Sequence, residues 1–371
     1  MLHVAADDRT GALEVAAALA DRGAGGAAGV TVTVWPEQSG WPEQSDVAVC
    51  VVDLGTRHLS SQQAAARAAQ LVMTGPVAHK IDSTLRGNWA RELVARHLTA
   101  RRPVMLVAAL PALGRVCVGG VVFNGGRPVH VGDTDVRQPI QSSRPADHLR
   151  AAGASDVVEV ASVEDAAAWA AAPRGYAVVD ASSDADIDAI VARWPRSEVL
   201  LAGTSATIAA AAGSAPSPVR RRITGPVLVA CGSANPVARR QLAIAADRGT
   251  TVSKDAASAM QALAARRDAI LATPLPSGPV AAGQAETEAA RFAAEVIEVA
   301  AKASGLAALV VLGGDTAAAL LGNAALRVLG SVGPGTAWLV SPRFHVPVIT
   351  RAGGFGDDRA IADLLWGTLR A

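Results

Sequence analysis

Short runs of β-branched and apolar residues alternate along this chain with alanine-rich stretches whose polar positions recur at helical spacing. The first run, Leu2 to Ala6, predicts a core strand, and a helix over Leu13 to Arg22 follows it. Further strands are predicted over Val30 to Val34, Val47 to Val52, Val77 to Lys80, Val104 to Ala108, Ala177 to Val179 and Val199 to Ala202. In the second half they fall at Val227 to Ala230, Ala269 to Ala272, Leu309 to Leu312 and Val346 to Ile349. Such alternation predicts α/β architecture, with mainly parallel sheets flanked by helices. The pattern breaks at Gly213 to Arg222, where prolines, small residues and charge suit an interdomain linker. The expected organisation is therefore a domain over 1–213, a linker over 214–226 and a domain over 227–371. A second irregular region, Val121 to Pro145, carries Asn124-Gly125-Gly126, a hairpin turn between Gly120-Val121-Val122-Phe123 and Arg127-Pro128-Val129-His130. It predicts a β flap over the first domain.

Composition narrows the partners. With 371 residues and 50% hydrophobic content, the chain can bury a large core, and about 150 residues per domain gives two domains. The net charge of +1 argues against a nucleic-acid footprint or a polybasic membrane anchor, so small metabolites are the expected partners. Charges or glycines interrupt every alanine run before about 18 apolar residues accumulate, which predicts no membrane span. The N-terminus has no signal-peptide pattern, and a cytoplasmic location is expected. Cys50, Cys117 and Cys231 are odd in number and far apart, so neither disulfides nor a zinc site is indicated.

The candidate chemistry gathers where strands hand over to helices, the favoured ligand position in open α/β sheets. Lys80-Ile81-Asp82-Ser83-Thr84-Leu85-Arg86-Gly87-Asn88 packs an ammonium, a carboxylate, two hydroxyls and a guanidinium ahead of the helical stretch from Trp89. The cluster suits an anion, with Ser83 or Thr84 available to cap the helix. Lysine is scarce, at Lys80, Lys254 and Lys302 alone, which suggests that Lys80 supplies a compact point charge. After the first strand, Asp7 and Asp8 could orient a substrate hydroxyl, accept its proton or hold a divalent cation; helix capping by Asp8 or Thr10 explains one acid and leaves the other.

The second half carries three small-residue turns: Cys231-Gly232-Ser233-Ala234-Asn235-Pro236, Gly313-Gly314-Asp315-Thr316 and Ala352-Gly353-Gly354-Phe355-Gly356. Each lets a ligand approach the backbone closely, and together they predict a nucleotide site at one sheet edge. Neither the phosphate-loop fingerprint nor Gly-x-Gly-x-x-Gly is present, so a standard phosphate-loop ATPase and an NAD-dependent dehydrogenase are disfavoured. Tyr176, the tryptophans and His3 read as packing residues, and Arg220-Arg221-Arg222 as a solvated linker face.

The ordered set Ala-Asp-Asp-x-Thr-Gly-Ala, Lys-Ile-Asp-Ser-Thr-Leu-Arg-Gly, Gly-Gly-Asp-Thr-Ala and Ala-Gly-Gly-Phe-Gly resembles the four-carbon acid sugar kinase family over nearly the whole chain. Val52-Asp53-Leu54-Gly55-Thr56-Arg57 and Pro111-Ala112-Leu113-Gly114-Arg115 resemble two further family segments. The resemblance implies a sugar-acid domain, an ATP domain and phosphate transfer across a cleft between them. The implied substrates are threonate, erythronate or their oxo relatives, with ATP and Mg²⁺ as cofactors; a homodimer stays open. Asp8, Lys80 and Asp82 match its catalytic positions, and Arg57, Ser83 and Arg86 join them as substrate-binding residues. Ser233, Gly313, Gly314, Asp315, Thr316, Gly353, Gly354 and Gly356 match its nucleotide turns. Arg9 stands where the family has an apolar residue, and Arg351 where it has lysine. The alternative is a metabolite-binding or sensing protein derived from such a kinase, with weakened use of ATP.

Overall fold

The computed structural model describes residues 1–35, 48–71, 74–131, 139–218, 221–275 and 282–370. Part of the expected flap, 132–138, and Val219 and Arg220 of the expected linker lie outside the described residues. Two compact units make up the chain, Met1–Ser217 and Pro218–Ala371.

Unit 1 holds strands β1 (Leu2–Ala6), β2 (Val30–Val34), β3 (Val49–Asp53), β4 (Val77–Lys80), β5 (Val104–Val107), β6 (Arg115–Val118), β7 (Val121–Asn124), β8 (Arg127–Pro128), β9 (Val157–Val160), β10 (Tyr176–Val179) and β11 (Leu200–Gly203). Its helices are α1 (Arg9–Asp21), α2 (Ser61–Ala69), α3 (Trp89–Ala100), α4 (Pro145–Ala151), α5 (Val163–Ala171), α6 (Asp184–Val191) and α7 (Ser205–Ala210). Eight strands form a parallel sheet in the order β2-β3-β1-β4-β11-β5-β10-β9. Sequence order reverses on either side of β1, so the loops after β1, β3 and β4 diverge and leave a crevice at the carboxyl ends of these strands. Register fixes which residues meet there: Ala6 lies beside both Asp53 and Lys80, and Gly203 beside Lys80.

The core follows from the apolar runs. Ala5, Val51, Val52, Leu106 and Leu201 are fully buried in the sheet, while Trp89, Leu93 and Leu149 pack on it from α3 and α4. The Asn124-Gly125-Gly126 turn is a hairpin, with β7 pairing antiparallel to β8 and both glycines at positive φ, +56° and +80°. Its other partner is β6, a strand not expected from the sequence, and the three form a separate small sheet.

Unit 2 holds β12 (Val227–Cys231), β13 (Thr251–Ser253), β14 (Ala269–Ala272), β15 (Ala308–Leu312), β16 (Leu326–Gly330), β17 (Thr336–Val340) and β18 (Val348–Arg351). The helices are α8 (Pro236–Asp247), α9 (Ala256–Ala264), α10 (Ala282–Lys302), α11 (Gly314–Leu321) and α12 (Ala360–Asp363), the last running into a π-type turn over Leu364–Thr368. Strands β13-β14-β12-β15-β18 are parallel, and β17 and β16 extend the sheet antiparallel. This antiparallel pair is absent from the sequence reading. Ile223 at the end of the expected linker is buried in the unit 2 core and donates its N–H to Leu369 O at 2.7 Å. Arg221 is not the solvated residue expected: its guanidinium lies 5.4 Å from the Trp338 ring centroid and donates to Leu329 O at 2.8 Å. Among the described residues, no helix is long and apolar enough to cross a membrane.

Candidate active site

The carboxyl edge of the unit 1 sheet concentrates charge. Asp7 and Asp8 leave β1, Arg57 lies in the loop between β3 and α2, and Lys80 closes β4. Asp8 is the N-cap of α1: its Oδ1 accepts the Gly11 N–H at 2.8 Å and its Oδ2 the Thr10 hydroxyl at 2.8 Å. Its side chain still keeps 20% of its surface exposed, whereas Asp7 keeps none. The aspartates therefore divide their work. Asp7 is gripped by Arg57, which donates from Nε to Oδ2 and from Nη2 to Oδ1, the latter at 2.8 Å. The same guanidinium lies 3.4 Å from Asp8 and 3.8 Å from Asp82, a cation shared by three carboxylates.

Asp82 is equally committed. Its Oδ2 accepts the Thr84 hydroxyl and the backbone N–H groups of Thr84 and Arg86, while Arg86 binds both carboxylate oxygens at 3.1 and 2.9 Å. Ser83 and Thr84 do not cap α3, as the sequence suggested: Thr84 turns inward to Asp82, Ser83 accepts from Arg115, and Asn88 holds the N-cap position. The loop needs this length because Leu85 and Gly87 adopt left-handed φ of +64° and +87°. At Gly87 a Cβ would come within 2.8 Å of Asp7 Oδ2 and 2.9 Å of Arg57 Nε, so glycine is required where the loop crosses the ion pair. Asn88 ties that crossing to the neighbouring loop through Thr56 O and Leu59 O at 2.9 and 3.0 Å.

Lys80 is 2% exposed and points its Nζ at Glu14 Oε2, 3.5 Å away; Glu14 in turn accepts the Ser205 hydroxyl at 2.7 Å. Electrostatics separate the acids further. Burial alone would raise Asp82, but Arg86, Arg57 and Lys80 outweigh it and hold the carboxyl well below the usual range. The same competition, with Arg57 and Lys80 opposing burial, leaves Asp8 lowered. Burial wins at Asp7, whose carboxyl is raised despite Arg57. Arg9, an unusual residue at its position, forms a buried ion pair with Asp53 at 2.8 Å.

In unit 2 the three small-residue turns come from β12, β15 and β18, adjacent parallel strands, so they meet at one sheet edge. Gly232 N–H donates to Thr316 Oγ1 at 3.1 Å and Gly313 N–H to Arg351 O at 3.0 Å. A Cβ at Gly353 would overlap Ser233 Oγ, one at Gly354 would come within 3.1 Å of Asn235 Nδ2, and one at Gly356 would overlap the Arg351 guanidinium. Gln241 holds the last turn by donating to Phe355 O and Asp357 O at 2.8 and 2.7 Å. Asp315 and Thr316 lie in the first turn of α11, behind Gly313 at φ +105°. Arg351 is 6% exposed, and its Nε is buried without a hydrogen-bond partner.

Two family models match this arrangement, a sugar-binding N-terminal domain over residues 2–212 and a nucleotide-binding C-terminal domain over 228–361. The chain belongs to the four-carbon acid sugar kinase family. Among family members, a protein named D-threonate kinase from Cupriavidus necator is 31% identical over 278 residues, 66% of this chain and 63% of its own length, which is less than two thirds of that relative. Another of that name from Salmonella typhimurium is 29% identical over a 422-residue alignment covering 98% of this chain and 97% of the relative. At the level of fold, a crystal structure from Salmonella typhimurium titled a putative tRNA synthase matches with a TM-score of 0.72 at 19% identity, covering 99% of each chain. A Haemophilus influenzae structure matches with a TM-score of 0.67 at 17% identity over 99% of this chain and 100% of its own.

Within this family frame, three residues of the charged edge escaped the sequence reading of the site. Asp7 was noticed but given no partner, Glu14 lies six residues after the Asp8 cap, and Arg115 reaches Ser83 Oγ at 2.6 Å from the small sheet. The signal for Glu14 was a lone acid within the otherwise apolar run Gly11 to Ala20 of α1. Asp7 and Arg57 stand 50 positions apart, and no local pattern joins them.

Proposed function

We propose that this protein is an ATP-dependent kinase that phosphorylates a hydroxyl of a four-carbon sugar acid: threonate, erythronate or an oxo-tetronate. The observation that carries this reading is the inequality among the three carboxylates of unit 1. Arg57 and Arg86 saturate Asp7 and Asp82, and Asp8 alone keeps an open face beside Lys80 and Arg57. A tetronate offers one carboxylate and a row of hydroxyls. Arg86, 18% exposed at its side chain, and Lys80 suit the carboxylate or the transferred phosphoryl charge, while Asp8 suits a hydroxyl.

Asp8 is held in its ionised form, so it orients the attacking hydroxyl by accepting its hydrogen bond and can take its proton as the bond to phosphorus forms. Such transfer depends more on alignment and charge neutralisation than on a strong base. Lys80 is the compact cation for that neutralisation, and Glu14 and Ser205 hold it in place. Asp82 acts through Arg86, and Arg57 through Asp7 and Asp8, as positioning residues. Ser83 orients the loop through Arg115.

On the donor side, the turns suit a nucleotide because Gly353, Gly354 and Gly356 let the backbone pass close to Ser233, Asn235 and Arg351, side chains that a Cβ would displace, and Arg351 has a buried donor unpaired. Ser233, Gly313, Gly314, Asp315, Thr316, Gly353, Gly354 and Gly356 would hold ATP. Mg²⁺ bound with the nucleotide would supply neutralisation of the phosphate oxygens, and Asp315, in the first turn of α11, is the unit 2 carboxylate that would hold it. The names of the relatives support the acid class.

Coupled ADP release with ATP and Mg²⁺ over D- and L-threonate, D- and L-erythronate and their oxo derivatives tests the proposal. Turnover on one member, lost in Lys80→Ala while ATP binding persists, is the expected result. Silence across the panel with no ATP binding by calorimetry would instead favour the metabolite-binding protein.

A further inference from the structure

A recess of about 380 Å³ opens in unit 2 among Arg248, Arg266, Arg267, Arg370, Asp268 and Trp366. Gly225 and Asp268, which border it, come just before β12 and β14, so the recess lies at the amino ends of strands whose carboxyl ends carry the glycine turns. Five residues of β12 separate the two edges, about 16 Å at 3.3 Å per residue. A ligand here would not overlap one at the turns.

Four guanidiniums face one carboxylate in this recess. Asp268 is fully used: its two oxygens take Arg370 at 2.8 and 2.7 Å, and Oδ1 also accepts the Val227 N–H at 2.9 Å. Arg370 is further fixed by Leu365 O and Gly225 O at 3.1 and 3.2 Å. Arg248 reaches Asp363 at 3.2 Å, an exposed pair worth little. Arg266 and Arg267 have no acidic partner among the described residues. Both are exposed, and an anion that accepts from the two would match their planar forks. Trp366 lies in the π-type turn and is half-buried, offering an apolar face beside the charges. The volume stands at the small end of ligand cavities, a size that fits a metabolite.

We propose that this recess is a second ligand site, binding a small phosphorylated metabolite with its phosphoryl group on Arg266 and Arg267 and its carbon skeleton against Trp366. Arg248 and Arg370 complete the positive wall. Two sources share this chemistry, a phosphorylated sugar acid and a nucleoside monophosphate.

The test titrates the full chain, presaturated with ADP, with 3-phosphoglycerate, AMP and unphosphorylated glycerate, followed by calorimetry and tryptophan fluorescence. Binding of at least one phosphorylated probe but not glycerate is expected. The more tightly bound of 3-phosphoglycerate and AMP names the source. The double variant Arg266→Ser/Arg267→Ser should weaken that binding by about tenfold or more, the cost of charge-assisted hydrogen bonds, with its ADP affinity unchanged. Trp366→Phe should remove the fluorescence response while the calorimetric affinity stays within about threefold, since an aromatic face remains. No binding by either phosphorylated probe, glycerate binding as tightly as they do, or undiminished binding in the double variant would each overturn the proposal.

Discussion

The two candidate ligand edges are built from opposite materials. In unit 1 the site is made of side-chain charge: four acids and four bases, with Arg57 shared by three carboxylates, Lys80 set against Glu14 and Arg86 against Asp82. In unit 2 it is made of missing side chains, with Gly353, Gly354 and Gly356 leaving room that Ser233, Asn235 and Arg351 border. A charged edge fails chiefly on a change of protonation or charge, although Gly87 bars a side chain there too. A glycine cradle tolerates changes of pH but not an added carbon. This contrast assigns each edge its own characteristic failure.

Lys80→Ala should break the first edge most completely. Turnover on the preferred tetronate should fall by about 10³-fold, in line with removing a preorganised charge from a transition state. ADP affinity measured by calorimetry should be unchanged, and a parallel loss of it would erase the contrast. The next largest effect belongs to Gly356→Ala. Its φ of +81° disfavours any side chain by about 1 kcal/mol, and the new carbon displaces Arg351. Nucleotide Kd should rise about tenfold, against an unchanged Kd for the sugar acid; equal weakening of both would show that the edges are not independent.

Protonation sharpens the comparison at a smaller scale. Arg86 and Arg57 hold the Asp82 carboxyl well below the usual carboxylate range in the folded protein despite its burial, so the stability it contributes is present above that range and is lost as pH falls below it. Urea unfolding between pH 5 and 3 should show wild type losing stability more steeply than Asp82→Asn, which lacks the titrating group. Identical slopes would mean that Arg86 does not hold the carboxylate in solution. Smallest of all, Gln241→Ala removes two hydrogen bonds to Phe355 O and Asp357 O, about 1 kcal/mol each. A several-fold rise in nucleotide Kd with unchanged turnover at saturating ATP is expected, and no change would show the turn to be held by other contacts.

Legibility in the sequence followed the same division. The glycine turns were readable because their signal is local: a buried strand, two or three glycines and a helix. Most parallel strands of both units were readable for the same reason, β9 and β13 excepted, and Asn124-Gly125-Gly126 marked its hairpin. The β16–β17 pair was missed because Leu326 to Gly330 and Thr336 to Val340 lie at the far end of a domain whose other strands obey a β–α rhythm. The charged edge was half legible. Its residue types stood out at Lys80 to Arg86, yet which acid stays open depends on pairing across the sheet, Arg57 with Asp7 above all. Arg9 looked like an anomaly until the structure supplied Asp53.

The scarcity of lysine has a practical consequence. Lys254 and Lys302 are exposed on unit 2, while Lys80 is covered by its own site. Amine-directed reagents will therefore mark Lys254 and Lys302 quickly and Lys80 slowly. The rate at which the Lys80 peptide itself acquires label, read by mass spectrometry, is a clock for how often the charged edge opens to solvent.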